Sequence, residues 1–299
     1  MRGKLKKLFA AVLAVLLALS FSGCSELTGL DAQALMSPPK TTADREAIYA
    51  LMGGGVGDVT LVYPKYGDYR SAIISRDLDG CGTSEVVSFC ANGDAGGTRL
   101  EFFKKNTDGV WSSMARFTSA ATQVDKVFFG DLTGDGMDEI IVGWGDPLTA
   151  TASVSVYYVD GDTIREFSMT TVSYSEMLLT DFDSDNIKEL FVLQAAQTSG
   201  EEIMALGGLY RFDGDQPYVS KTVPLDAAVT RYTSVSFSQV NSWRRAAVLD
   251  GVKADGHMLT QVIGYDEASD RLISPLSNEE NATDRPTAAA AVSRDVNKD

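Results

Sequence analysis

Apolar residues in this sequence occur in short runs that are separated by clusters of Gly, Asp and Asn. From Val56 onward the runs are rich in Val, Ile, Phe, Tyr and Thr, and none continues with the period of a long helix. Runs of this length and composition, bounded by turn-forming residues, are typical of β-strands. The pattern therefore predicts an all-β chain.

One short helix is predicted before the strands. Asp44 and Glu46 suit a first helical turn, and Ile48 and Met52 fall on one face of the helix. Three consecutive glycines beginning at Gly53 are expected to end it.

One nine-residue pattern occurs three times, each time directly before an apolar run. Oxygen-bearing side chains stand at positions 1, 3 and usually 5, Gly or Asn stands at position 6, and Glu stands at position 9. The copies are residues 77–85, 131–139 and 181–189, and their first residues lie 54 and 50 residues apart. A period of this length indicates a repeat architecture in which each copy is one supersecondary unit.

Two further segments fit the same spacing. Residues 237–245 precede the apolar run 246–249 in matching register, but their acidic residues are replaced. We interpret this segment as a repeat that kept its strand and lost its loop chemistry. Residues 295–299 restart the motif, so we expect the chain to stop inside a fifth repeat; the alternative is a natural terminus with a chance match.

The three complete copies match the requirements of Ca²⁺. This ion takes six to eight oxygen ligands at about 2.3–2.6 Å, and carboxylates at alternate positions of a tight turn converge on one point. Position 6 has to turn sharply at positive φ, which Gly136 and Asn186 adopt at low cost. Position 7 is expected to offer its backbone carbonyl, and position 9 to close the site. The expected ligands are Asp131, Thr133, Asp135, Met137 and Glu139; Asp181, Asp183, Asp185, Ile187 and Glu189; and Asp77, Asp79 and Glu85.

Charge ranks the three copies as metal sites. The copy at 181 offers four carboxylates, and the copy at 131 offers three with a threonine hydroxyl. The copy at 77 has Cys81 at position 5, and a thiol is a poor ligand for a hard cation, so this copy is expected to bind weakly or not at all. The alternative is that the Asp side chains only cap backbone N–H groups of the turns.

The first 23 residues have the features of a secretory leader. A basic start is followed by an unbroken apolar run over 8–19, which is shorter than the roughly 20 residues that a helix needs to span a bilayer. Residues 21–24, Phe-Ser-Gly-Cys, resemble the lipobox of bacterial lipoproteins. This resemblance implies lipidation of Cys24 and anchoring on the outer face of the cell membrane; the alternative is an ordinary signal peptide that contains a cysteine. The expected organisation is a signal peptide over 1–23, a tether and helix over 24–56, and repeats over 57–299.

The acidic composition narrows the possible partners. The chain carries 41 acidic and 26 basic residues, a formal net charge of −15. Nucleic acid and anionic lipid surfaces would repel such a chain, so neither is expected as a partner.

Cysteine and histidine usage adds little chemistry. Cys81 and Cys90 flank a predicted strand, whose extended length favours two free thiols over a disulfide. The single histidine, His257, follows Asp255 and a glycine, and is expected to be a solvated turn residue rather than a catalytic base.

The nine-residue loops resemble the FG-GAP and VCBS repeats of integrin-type β-propellers and bacterial surface proteins, in which D-x-[DN]-x-D-G-x-x-[DE] precedes an apolar strand. The resemblance covers residues 57–299. It implies an incomplete β-propeller of four-stranded blades, calcium loops with a structural role, and a partner bound on one face or in the central channel. Together with the lipobox and the Tyr63-Pro64-Lys65 stretch, it suggests a lipoprotein of Firmicutes type.

Three functions compete for this architecture. A binding module for an extracellular protein or polysaccharide is expected, and not an enzyme, because no recognisable catalytic motif accompanies the repeats. The alternatives are a carbohydrate-active enzyme that uses paired carboxylates on a propeller scaffold, and a structural subunit of an envelope complex. Four aromatic residues either mark a binding face or pack between blades, and packing is favoured. They are Trp111, Trp144, Tyr210 and Trp243.

Overall fold

The fold was analysed in a computed structural model. It describes residues 42–146, 151–167, 172–199, 202–213, 216–241 and 244–274. The chain divides into two compact units, Met1–Glu46 and Ala47–Asp299. The predicted signal peptide, Cys24, Trp243 and the fifth repeat lie outside the described residues.

The predicted helix is confirmed. Helix α1 spans Ala43–Leu51, and its start is stabilised by Thr42, whose hydroxyl accepts a hydrogen bond from the N–H of Arg45 at 3.4 Å. The helix gives way to Gly53, which has a φ of +99°. Among the residues described, no helix combines the length and apolar character needed to cross a bilayer.

The strands form four antiparallel sheets, which confirms the all-β class. Sheet 1 contains β1 (Ile73–Arg76), β2 (Glu85–Ala91), β3 (Thr98–Lys105) and β4 (Trp111–Ser119). Sheet 2 contains β5 (Gln123–Gly130), β6 (Glu139–Asp146), β7 (Thr151–Asp160) and β8 (Thr163–Glu166), with β9 (Val172–Ser173) paired to β7. Sheet 3 contains β10 (Glu176–Thr180), β11 (Glu189–Ser199), β12 (Glu202–Asp213) and β13 (Gln216–Pro224). Sheet 4 contains β14 (Val229–Asn241), β15 (Arg244–Lys253), β16 (Met258–Asp266) and β17 (Arg271–Ile273). A short 3₁₀ turn, Gly93–Ala95, lies between β2 and β3.

The four sheets share one strand order. Apart from β9, the strands of each sheet follow one another in space as they do in sequence, and every neighbouring pair is antiparallel. The strands that follow the three nine-residue motifs, β2, β6 and β11, are each the second strand of a sheet. The copies seen in the sequence are therefore equivalent in the fold.

In the fourth repeat, strand pairing extends into the segment that forms the loop in the other sheets. Strands β14 and β15 stay paired beyond the point where the other sheets open, through Phe237↔Ala247 and Gln239↔Arg245 to Asn241↔Arg244. The structure confirms that this repeat kept its strand, which is β15.

The core consists of apolar clusters between consecutive sheets. Ile140 lies in the cluster between sheets 1 and 2, whereas its neighbour Ile141 lies in the cluster between sheets 2 and 3. Leu190 and Phe191 are divided in the same way between sheets 2 and 3 and sheets 3 and 4. Sheets 2 and 3 therefore bury both faces. Trp144 is buried in the first of these clusters, as a packing role requires.

The outer face of sheet 1 is covered by a helix instead of another sheet. Ile48, Tyr49 and Met52 pack there with Cys90 and Phe103, all of them buried. This part of α1 and the turn after it occupy the position that a preceding sheet would occupy.

Candidate functional site

The three motifs form equivalent loops between the first and second strands of sheets 1, 2 and 3. We call residues 77–85 loop 1, residues 131–139 loop 2 and residues 181–189 loop 3. In each loop the residue before position 1 pairs with the glutamate at position 9, and that glutamate begins the second strand. These pairs are Arg76↔Glu85, Gly130↔Glu139 and Thr180↔Glu189.

Two hydrogen bonds recur in all three loops. The carboxylate at position 1 accepts the backbone N–H of position 6, and the carboxylate at position 9 accepts the backbone N–H of position 2. The first bond joins Asp77 to Gly82 (2.9 Å), Asp131 to Gly136 (2.9 Å) and Asp181 to Asn186 (3.0 Å). The second joins Glu85 to Leu78 (2.9 Å), Glu139 to Leu132 (2.7 Å) and Glu189 to Phe182 (2.8 Å). The acids at positions 1 and 9 therefore cap the turn, whatever else they bind.

Each loop contains two residues with positive φ. At position 6 the values are +87° for Gly82, +85° for Gly136 and +71° for Asn186, so the predicted conformation is confirmed. Position 4 was not predicted to be special, yet Ser184 has a φ of +65° there, where loops 1 and 2 have Gly. Loop 3 thus keeps the turn at a cost in backbone strain that glycine avoids.

The glutamates at position 9 are buried, with 3% exposure for Glu85, 2% for Glu139 and 0% for Glu189. Burial raises the pKa of Glu139 and of Glu189 to about 7, because the ionised form loses its hydration. Burial also raises the pKa of Glu85. A cation placed close to such a glutamate favours its ionised form.

Loop 2 offers the hard oxygen donors that Ca²⁺ prefers, but its carboxylates are not among the acid groups of the described residues whose ligand atoms lie within 4.8 Å of one another. Asp131, Asp135 and Glu139 contribute carboxylates, and the Thr133 hydroxyl oxygen is buried without a hydrogen-bond partner. In the described part of the chain, no salt bridge involves these three carboxylates. The N–H of Met137 donates to Asp135 at 2.8 Å, which holds position 5 in the turn. Hard oxygen donors with no protein cation among them are what a calcium loop requires.

Loop 1 mixes hard and soft donors. Ligand atoms of Asp77, Asp79 and Cys81 lie within 4.8 Å of one another, and one carboxylate oxygen of Asp77 is buried without a hydrogen-bond partner. The hydrogen bond from Cys81 lowers the pKa of Asp79. Weak calcium binding at this loop stays a prediction. Both Cys81, which is exposed, and Cys90, which is buried, are free thiols, as expected.

The acids of loop 3 contact a cation, Arg211 of β12, which the loop sequence did not reveal. Ligand oxygens of Asp181, Asp183 and Glu189 lie within 4.8 Å of one another. The guanidinium of Arg211 donates to Asp183 at 2.5 Å, to Asp185 at 2.9 Å and to Glu189. In the loop that charge ranked first, a side chain of the protein therefore contacts three of the four expected carboxylate ligands.

Backbone hydrogen bonds link consecutive loops. The N–H of Asp138 in loop 2 donates to the carbonyl of Leu78 in loop 1 at 3.3 Å, and the N–H of Lys188 in loop 3 donates to the carbonyl of Asp131 in loop 2 at 3.0 Å. Arg76 reinforces the first link through an ion pair with Asp138. The three loops therefore lie next to one another.

A separate polar cleft of about 480 Å³ is lined by the first strands of sheets 2, 3 and 4 and by residues 66–68. We call it the first-strand cleft. Lys126 and Glu176 form an ion pair in its wall, and each is 13% exposed. The Tyr174 hydroxyl donates to Asp125 at 2.6 Å beside them. The predicted site residues do not include these groups, because their meeting depends on how three sheets pack.

The remaining candidate from the sequence, His257, is an exposed turn residue. Its N–H donates to the Asp255 side chain at 3.0 Å in the turn between β15 and β16.

Comparison with known proteins gives few matches. No family model matches the sequence, and no curated protein matches it. Among solved structures, one match is a rhamnogalacturonan lyase PL11 from Bacillus licheniformis, with 14% sequence identity and a TM-score of 0.39. The match covers 69% of this chain and 50% of the lyase chain, so the chain spans half the length of that protein.

Proposed function

We propose that this chain is a lipid-anchored, extracytoplasmic binding protein. Its sheets are consecutive blades of an incomplete β-propeller of the FG-GAP/VCBS type, and Ca²⁺ in the acidic loops has a structural role. The partner is an extracellular protein or polysaccharide, which binds in the first-strand cleft. The repeated strand order and the apolar clusters between consecutive sheets support the blade assignment.

The chemistry of the first-strand cleft is the observation that carries the binding role. Its volume falls in the range of ligand pockets, about 300–1,000 Å³. It presents both carboxylates and cations, including Asp68 and Arg231, together with hydroxyl groups. Tyr66 at its edge is 56% exposed, so an aromatic ring is available for stacking. Mixed polar groups beside an aromatic ring suit a polyhydroxylated or peptide partner.

Binding can be tested with the soluble ectodomain and a panel of neutral, cationic and acidic polysaccharides, followed by envelope protein extracts. Retention by one probe class is expected, and Tyr66→Ala and Arg231→Ala should each weaken it at least about tenfold. Tyr218→Ala is the matched control, because Tyr218 is similarly exposed, at 48%, and does not line the cleft. The cleft would be excluded as the binding site if all three variants lost the same amount of binding, or if neither Tyr66→Ala nor Arg231→Ala weakened it.

Calcium is proposed first at loop 2. Chelation should lower the melting temperature of the ectodomain, and added Ca²⁺ should restore it, because a ligand that binds only the folded state stabilises that state. Glu139→Gln should abolish the loop 2 response, whereas Glu166→Gln, at an exposed position, should keep it. A melting temperature that calcium does not change would leave the acids with only the capping role already described.

The lipid anchor rests on residues 21–24 and is tested separately. The full-length protein, expressed in a bacterium, is expected in the membrane fraction and in the detergent phase of a phase-partition experiment. Cys24→Ser should move it to the aqueous phase. An unchanged distribution would favour an ordinary signal peptide or another mode of attachment.

A second candidate function, a carbohydrate-active enzyme, is favoured by one observation. Asp125 and Glu176 line the same cleft, and the pKa of Glu176 is raised, mainly by burial and further by the charge of Asp125. Enzymes that cleave sugars by acid–base catalysis usually use two carboxyl groups in different environments. Any polysaccharide that the ectodomain binds should therefore also be incubated with it. Product formation that Glu176→Gln and Asp125→Asn abolish would replace the binding role by an enzymatic one.

A further inference from the structure

We infer that loop 3 is a calcium-type loop in which the guanidinium of Arg211 has replaced the metal ion, so that this loop keeps its shape without any metal. The inference concerns a different loop from the one proposed to hold Ca²⁺. It uses loop 2 only as the comparison.

The contacts of Arg211 are those of a central cation. One nitrogen, Nη2, lies within hydrogen-bond distance of carboxylates at positions 3, 5 and 9, at 2.5 Å from Asp183 and 2.9 Å from Asp185. The third partner, Glu189, has a fully buried side chain (0% exposed), and the side chain of Asp183 is 12% exposed. Positions 3, 5 and 9 are ligand positions in the resemblance on which the metal sites were predicted. The guanidinium thus bridges the acids at three of the expected ligand positions.

Charge balance explains why a cation is needed there. Loop 3 brings four carboxylates together, and only Asp181 is satisfied entirely by the loop backbone, through the N–H groups of Asp185 and Asn186. Glu189 accepts one backbone N–H; burial and, to a smaller extent, the charge of Asp183 raise its pKa, whereas the hydrogen bond and charge of Arg211 lower it. A buried carboxylate without a partner is costly, and charge-assisted hydrogen bonds from arginine offset that cost.

Strand register shows that Arg211 occupies a defined position in the repeat. Leu190 pairs with Tyr210, so the next residue along β12, Arg211, stands beside Glu189 across the two strands. The corresponding pairs in sheets 1, 2 and 4 place Lys104, Tyr158 and Tyr265 at the same point.

The equivalent side chains go elsewhere in the loop-bearing sheets. Lys104 forms an ion pair with Asp162 in the turn between β7 and β8, and the ring of Tyr158 packs on Phe167 with a centroid distance of 4.4 Å. Among the described salt bridges, a cation reaches the acids at positions 3, 5 and 9 in loop 3 and not in loops 1 and 2. We infer that substitution at one repeat position has converted a metal loop into one whose acids are bridged by an internal cation.

A divalent, oxygen-preferring cation would have to displace Arg211 to bind loop 3, because both use the same carboxylates. The wild-type loop is thus expected to bind no Ca²⁺, and removal of the guanidinium is expected to create a site. This competition makes the inference testable with the metal alone.

The experiment compares the wild-type ectodomain with Arg211→Gln, using Ca²⁺ stoichiometry from titration calorimetry and melting temperature with and without a chelator. In chelator, Arg211→Gln should melt roughly 5–10 °C below wild type, because it leaves buried carboxylates unpaired. Added Ca²⁺ should recover most of that loss, and the stoichiometry should rise by one ion per chain. Arg165→Gln is the control: Arg165 forms an ion pair with Asp160 on the surface, with side chains 64% and 44% exposed, and should change neither quantity.

Two results would overturn the inference. The first is an Arg211→Gln protein that is as stable as wild type in chelator and gains no ion. The second is wild-type protein that loses one bound ion on Asp183→Asn, which would mean that the metal already occupies loop 3. If Arg211→Gln does not fold in chelator, Arg211→Lys replaces it: a single ammonium cannot match the guanidinium, so part of the same calcium-dependent recovery is expected, and its absence counts against the inference.

The outcome is separable from that of the proposed function. If Ca²⁺ changes the melting temperature of Arg211→Gln but not of wild type, calcium at loop 2 is refuted and the role of Arg211 is supported. If Ca²⁺ changes the melting temperature of wild type and Arg211→Gln gains no ion, calcium at loop 2 is supported and the role of Arg211 is refuted.

Discussion

At the scale of single residues, the acidic loops combine a strained backbone with buried charge. Gly or Asn at position 6 was foreseeable, since a nine-residue turn has to reverse direction within the loop and these residues accept positive φ at low cost. Positive φ at Ser184, in position 4, was not foreseeable, because serine in a sequence does not indicate that conformation. Its φ of +65° shows that the geometry of the loop prevails over the preference of the residue.

Replacing Ser184 by glycine should therefore stabilise the protein. Relief of the left-handed conformation contributes about 1–2 kcal/mol, and the added freedom of the unfolded chain takes back about 0.4–1 kcal/mol. The free energy of unfolding, measured by urea denaturation, is expected to rise by about 0.5–1 kcal/mol. Ser184→Ala keeps the Cβ atom and should bring no such gain; a similar gain in both variants would show that strain is not the cause.

The raised pKa of Glu139 sets the pH dependence of the metal-free protein. Its pKa is about 7 in the folded state and near 4.5 when unfolded, so between these values the folded chain holds a proton that the unfolded chain has released. Stability should thus fall as pH rises through this window, by up to about 3 kcal/mol from this group. Glu189, whose pKa is also raised to about 7, contributes with the same sign.

Melting temperatures in chelator between pH 5 and 8 test this expectation. Glu139→Gln should reduce the pH dependence of the melting temperature by the contribution of loop 2. Ca²⁺ competes with the proton for the same oxygens, so its stabilising effect should be larger at pH 8 than at pH 5. Stability that increases from pH 5 to pH 8 in chelator would contradict the assignment.

At the scale of strands and loops, local patterns were predictable and contacts across strands were not. The nine-residue loops, the strand after each of them and helix α1 are encoded within a few neighbouring residues, and the structure has all of them. Arg211 lies 22 residues after Glu189, and only the register of β12 against β11 brings the two together. Likewise, the first-strand cleft joins β5, β10 and β14, whose contact depends on the packing of sheets. Charge counting within loop 3 therefore could not include Arg211, which contacts three of its acids.

The two cysteines near loop 1 illustrate how strand and loop differ in access to solvent. Cys90 lies on β2 at 0% exposure, and burial raises the pKa of its thiol, whereas Cys81 is exposed in the loop. In an ectodomain that lacks Cys24, a thiol reagent should modify Cys81 in the native protein and Cys90 only after denaturation. Cys81→Ser should abolish the native reaction. Two reactive thiols in the folded state, or none after denaturation without reductant, would be inconsistent with this structure.

At the scale of the whole chain, stability depends on the apolar clusters that join consecutive sheets. Phe191 is fully buried in the cluster between sheets 3 and 4. Phe191→Ala should lower the free energy of unfolding by about 3–5 kcal/mol through lost burial and the cavity that remains. Val219→Ala, at a position 46% exposed, should change it by less than about 0.5 kcal/mol.

Denaturation followed by both circular dichroism and tryptophan fluorescence tests the same variant further. Because the sheets share clusters on both faces, the two signals should move together in wild type. A Phe191→Ala transition that separates into two steps would show that sheet 4 unfolds independently of the others.

The helix packed on sheet 1 also bears on self-association. Arrays of stacked units remain monomeric only when their terminal apolar surface is sealed by something with a polar exterior. Ile48, Tyr49 and Met52 belong to the same chain and cover that apolar surface, so it is not exposed for a second molecule to stack on. Filament growth from this end would first require the helix to detach.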